Sequence, residues 1–133
     1  MAKLGRWLGD RDAEVSMLET KAAAMKVAFN ALMVDTETGA VCDGLCVDPR
    51  TAHSSIHSSF YSLAFGLVNA KHVPGTFAYI KRRLAQSTVG FPGGPYPIQF
   101  LLVALYSVET DGGAAGLNTL TDARLFRLRL PLP

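Results

Sequence analysis

The sequence predicts an all-α domain interrupted by one small β-hairpin. Three observations carry this expectation. Val15, Leu18, Ala22, Met25, Phe29 and Leu32 recur at spacings of 3-4-3-4-3, which lays all six along one stripe of a helix. Shorter stripes of the same period recur downstream, at Ile56, Phe60, Leu63, Ala64 and Leu67, at Phe77, Ile80 and Leu84, and at Ile98, Leu101, Leu102 and Leu105. The third is balance: 49% of the 133 residues are hydrophobic and only 18% are charged, too apolar for a disordered chain.

Taken in order, residues 2–8 read as the end of a helix, closed by Gly9-Asp10. The long stripe follows, with Glu14, Glu19, Lys21 and Lys26 between its apolar positions and suited to its wet face. Residues 33–42 place two part-apolar runs around a turn that ends in Gly39, a hairpin pattern. Residues 44–52 read as loop. A second helix is expected from about His53, capped by Ser54 or Ser55, with Gly66 near its end. After a loop at residues 71–75, Thr76 opens a third helix with Lys81, Arg82 and Arg83 outward. The run GFPGGPYP at residues 90–97 is loop by composition, and it carries Tyr96. A further helix ends near Val108. Beyond Gly112-Gly113 come a short helix at residues 114–120 and a basic, proline-ended tail.

Thirteen basic against eleven acidic residues leave a net charge of +2, too small for the electrostatic footprint of a nucleic-acid or membrane-surface protein. The expected partners therefore include neither. The first fourteen residues hold no unbroken apolar stretch of signal-peptide type. The longest apolar stretches, residues 60–68 and 98–108, are about half of the ~20 residues a membrane helix needs. A cytoplasmic chain follows, with Cys42 and Cys46 as free thiols.

Cys42, Cys46, His53 and His57 are four metal-type ligands in a short span, the two histidines four apart on one helix face. Only six residues separate Cys46 from His53, against about twelve in zinc-finger frameworks, so no metal and no cofactor is expected. Asp43 and Asp48 sit in the loop before the His53 helix. Paired carboxylates across a cleft perform glycoside hydrolysis, whereas loop aspartates usually form turns. Glu109 and Asp111 read as solvated acids at a helix end. Trp7, Tyr61, Tyr96 and Tyr106 suit packing, and Tyr96 alone sits in a Gly/Pro loop that can line a cleft. Ser54, Ser55, Ser58 and Ser59 surround His57 without a nucleophile elbow, and no phosphate-binding or zinc-protease signature occurs.

Several segments in series resemble the bacterial α-L-rhamnosidases of glycoside hydrolase family 78: Ala28-Phe29-Asn30, the hairpin from Asp35 to Gly44, HSSIH at residues 53–57, LAFGLV at residues 63–68, and YPIQFLLVALY at residues 96–106. The similarity runs from about Leu4 to Leu120. It departs from the family at Cys42, where an aromatic is usual, and at Pro97-Ile98, where Gly-Ala is usual.

The resemblance implies a partial alpha/alpha barrel of six-hairpin glycosidase type, with residues 1–122 as barrel and residues 123–133 as irregular tail. The family removes terminal L-rhamnose from glycosides with inversion. Its general acid lies in an acidic, tryptophan-bearing loop and its base lies beyond the stretch matched here; neither motif has a counterpart in this chain, so no catalytic residue carries over. What is left is a cleft edge in which Asp43, His53, His57 and Tyr96 contact a rhamnose-containing glycoside, on a chain inactive alone. Half a helical ring also leaves apolar surface open to self-association. A non-catalytic helical interaction module and a small Cys/His metal-binding domain are the alternatives.

Overall fold

The computed structural model of the chain describes residues 12–50, 52–87 and 95–110. Among these the fold is all-α: α1 spans Asp12–Leu32, α2 Ile56–Ala64, α3 Val73–Gln86 and α4 Pro95–Thr110. The expectations for residues 2–8, for the break at Gly9-Asp10, for residues 112–120 and for the boundary at 122/123 lie outside the described residues, as do Trp7 and Asp111.

The hairpin is a tight reversal with a single antiparallel bridge, Val34 to Val41. Asp35 builds it. Its Oδ1 accepts from the Glu37 amide at 2.9 Å and its Oδ2 from the Thr38 hydroxyl at 2.5 Å, while its own amide donates to the Ala40 carbonyl. The Thr38 hydroxyl chiefly holds the Asp35 carboxyl below its ordinary value, with burial opposing and the two backbone amides assisting. Gly39 closes the turn at φ +77°. A Cβ there would lie 2.3 Å from the Gly75 carbonyl oxygen in the first turn of α3, so the tip of the reversal touches α3 backbone to backbone.

This contact places Val34 and Val41 in the core with Ile56, Phe60 and Leu63 of α2, Ile80 and Leu84 of α3, and Leu101, Ala104 and Leu105 of α4. The central helix is α2, packed against α4 and α3. Its ends follow the sequence closely. Ser55, in extended conformation, accepts from the Ser58 amide as N-cap. At the other end Gly66, at φ +64°, donates to Leu63 O while Leu67 donates to Ser62 O, the paired bonds of a glycine-terminated helix. Leu67 therefore falls past the helix and is exposed.

α2 begins at Ile56, so His53 precedes the helix instead of sharing one of its faces with His57, and two further starts differ from expectation. α3 begins at Val73, three residues before Thr76, and α4 begins at Pro95, inside the run expected to be loop. In both, prolines occupy the first turn, where an amide has no helical partner and a fixed φ is already helical. Tyr96 consequently sits in the first turn of α4, 84% exposed, rather than in a loop.

The stripe of α1 is the larger difference. The helix forms over the expected span, but of the six stripe residues only Val15 is buried and Phe29 half-buried. Ala22, Leu18 and Leu32 are exposed and Met25 is 65% exposed. The reason is how α1 is anchored. Phe29 packs on the core, and the buried Asn30 amide donates to Lys26 O and Leu67 O and accepts from the Asn69 amide, each at 2.8 Å. Both of these contacts lie in the last turn, and along the rest of the helix Val15 is the one buried stripe residue.

Replacing Gly39 with alanine combines a left-handed backbone with a backbone clash; unfolding free energy should fall by about 2 kcal/mol or more, read as a drop in Tm. Gly75→Ala meets only Gly39 Cα at 3.6 Å and should be neutral or raise Tm slightly, as alanine does in a helix. Asn30→Ala leaves the partly buried Leu67 carbonyl and Asn69 amide without their partner and should cost about 1–2 kcal/mol by chemical denaturation.

Candidate functional site

The candidate site lies where the hairpin's outgoing strand meets the start of α2. Cys42 bridges antiparallel to Ser54, and the Asp43 amide donates to His53 O at 2.7 Å. This backbone pairing sets Asp43 beside the 53–55 segment. Its carboxylate then collects three side chains. Oδ1 accepts from the Ser55 hydroxyl at 2.9 Å and from the Ser58 hydroxyl, and Oδ2 accepts from His53 Nδ1 at 2.5 Å. A carboxylate has no proton to give, so the imidazole carries its proton on Nδ1 and keeps Nε2 as an acceptor when neutral.

Burial pushes the Asp43 pKa up, but hydrogen bonds from Ser58, His53 and Ser55, with the His53 charge, outweigh it and leave the carboxyl below its ordinary value. This decides what Asp43 can do. A glycosidase general acid needs a raised pKa, so that it carries a proton at working pH. Asp43 is held as an anion. The arrangement is not a nucleophilic triad either. There the hydroxyl donates to histidine and histidine to carboxylate; here both hydroxyls and the imidazole converge on one carboxylate.

Beside this cluster opens a cavity of about 470 Å³, lined by residues 53–57 and, from the end of α3, by Arg83, Gln86 and Ser87. Of the four residues expected to contact a sugar, Asp43 and His53 are bonded to each other, and His53 and His57 line the cavity. Tyr96 is not among the described lining residues. Arg83, Gln86 and Ser87 were invisible in the sequence as site residues. Their only signal there is the basic run at residues 81–83, which reads equally well as a solvated helix face.

The expectation of free thiols is corrected: Cys42 and Cys46 form a disulfide, their Cα atoms 5.6 Å apart. The chain turns back through residues 43–45, and the Cys46 amide donates to Leu32 O, which returns the second sulfur to the first. The disulfide takes both sulfurs out of the Cys/His set. Among the described residues no group of three or more His, Cys, Asp or Glu side chains is placed to hold a metal ion. Asp48 does not form a second cleft carboxylate. Arg50 grips it through Nε at 3.2 Å and Nη2 at 3.0 Å, and its backbone amide adds a third bond, so Asp48 is a turn former. Tyr61 packs among Phe60, Phe65 and Phe100, at ring separations of 4.8, 6.3 and 5.0 Å, as a core aromatic.

No family model, curated protein or solved structure matches the chain.

The lowered Asp43 pKa has a defined sign. The cluster contributes stability that is fully present above the unfolded carboxyl value, near 3.8, and is lost as pH falls through the lower folded value. Asp43→Asn should therefore flatten the acid limb of a Tm-against-pH curve below about pH 4 while lowering Tm at neutral pH. The effect is modest because the carboxylate is partly open to solvent. An unchanged acid limb would show that Asp43 makes no such bonds.

Proposed function

We propose that the chain is a segment of a six-hairpin alpha/alpha-barrel glycosidase of the α-L-rhamnosidase type. In this reading it supplies a sugar-contacting edge of the cleft and not the hydrolytic carboxylates. The observation that carries the proposal is the convergence of His53, Ser55 and Ser58 on Asp43 beside the cavity. These residues come from the two segments, Asp35 to Gly44 and HSSIH, on which the resemblance rests. The engaged carboxylate fixes His53 and Ser55 as walls of the cavity, and it holds no proton to deliver to a leaving group.

The exposed apolar side chains of α1 support the same reading. Among the described residues, Met17, Leu18, Met25 and Leu32 leave a helix face exposed, where an adjacent hairpin of a barrel would supply a neighbour. The same face also favours the second reading, a helical interaction module that associates through α1. A cytoplasmic location belongs to the proposal as well. The Cys42–Cys46 disulfide opposes that location, since such bonds persist in oxidising compartments, and no helix among the described residues is long and apolar enough to cross a membrane. Alkylation of the two sulfurs in intact cells therefore bears on the location directly.

The purified chain should show no turnover of an aryl α-L-rhamnoside above the uncatalysed rate, and light scattering should report species heavier than 14.3 kDa. Hydrolysis abolished by a single carboxylate substitution would overturn the inactivity. A stable monomer that binds no apolar dye would overturn the open helix face.

A further inference from the structure

The lining of the cavity is more selective than a neutral sugar requires. Residues 54–57 offer two serine hydroxyls, the apolar side chain of Ile56 and the His57 ring, while α3 brings Gln86, Ser87 and Arg83. The Asp43 carboxylate is not among the described lining residues, and its oxygens are engaged by Ser55, Ser58 and His53. Of the described lining residues, Arg83 alone carries a permanent charge. Its neighbour Arg82 is engaged by the turn, where Arg82 Nη2 donates to Thr38 O at 3.4 Å, while the guanidinium groups of Arg82 and Arg83 lie 5.5 and 6.0 Å from the Tyr79 ring centroid.

The volume, about 470 Å³, lies in the range of small-molecule sites and is far larger than a lone oxyanion needs. Hydroxyl and amide groups together with one isoleucine suit a polyhydroxylated ring with a C–H face. A planar guanidinium suits a carboxylate, which it can grip with two parallel hydrogen bonds.

We propose that this cavity binds a carboxylate-bearing sugar, a hexuronate, with Arg83 on the carboxylate and Gln86, Ser87 and His57 on ring hydroxyls. The proposal rests on the reading of the cleft as a sugar-contacting edge and names the class of sugar. It makes Arg83 the residue that separates acidic from neutral sugars. Arg83 lies on the exposed face of α3, so replacing it leaves the core intact.

The test is isothermal titration of the intact chain at low ionic strength with four probes: sodium D-glucuronate, methyl α-L-rhamnoside, D-glucose and inorganic phosphate. Glucuronate should bind at least about tenfold more tightly than either neutral sugar. That advantage should disappear in Arg83→Gln, survive in part in Arg83→Lys, and shrink at high salt, while neutral-sugar binding stays constant. Circular dichroism of each variant should match the parent. Equal binding of glucuronate and rhamnoside would overturn the hexuronate and leave the sugar edge standing. Phosphate binding as tight as glucuronate, with no neutral sugar bound, would overturn both, as would no binding of any probe.

Discussion

The Asp43 carboxylate is the interaction on which the candidate site depends. It joins three parts of the chain: the strand leaving the turn, the loop that carries His53, and the first turn of α2 through Ser55 and Ser58. Two of these bonds do a second job. Ser55 is also the N-cap of α2, so the helix start and the carboxylate share one hydroxyl. His53 is also a wall of the cavity, so the bond that fixes its tautomer also fixes that wall. The backbone pairing of Cys42 with Ser54 brings Asp43 there before any side chain acts, which is why an exposed, partly solvated acid can sit in one defined place.

Asn30 plays a comparable part for α1. It is the last buried residue of a long helix, and both donors and the acceptor of its amide are used. A buried amide so satisfied fixes direction as well as position, because a small rotation breaks three bonds together. The helix is therefore aimed by its final turn and left bare along most of its length. Nothing in the apolar stripe itself sets this orientation.

Much of the fold was legible in the sequence. The helical period located α1, α2, α3 and α4, the turn residues located the reversal, and the serines before Ile56 located the cap. What was not legible has specific causes. Prolines at residues 74, 95 and 97 suggest loops by composition, yet the first helical turn tolerates them. The stripe of α1 reports that its residues are apolar, not that a partner covers them. The half of the site contributed by α2 and the hairpin was legible because Asp43, His53 and His57 are near in sequence. The half contributed by α3 was not, since Arg83, Gln86 and Ser87 reach the cavity only through the packing of α3 on α2. Tyr96 differs in its setting, since composition suggests a loop and the geometry puts it in the exposed first turn of a helix.

The disulfide closes one of the smallest rings a polypeptide can make, with three residues between its cysteines. Cross-linking stabilises chiefly by restricting the unfolded chain, and the effect grows with the logarithm of ring size, so so short a ring removes little disorder: about 2 kcal/mol, against more than 4 for a ring spanning a domain. Its consequence is therefore local. The residues whose freedom it curtails are 43–45, and the first of them carries the carboxylate on which His53, Ser55 and Ser58 converge.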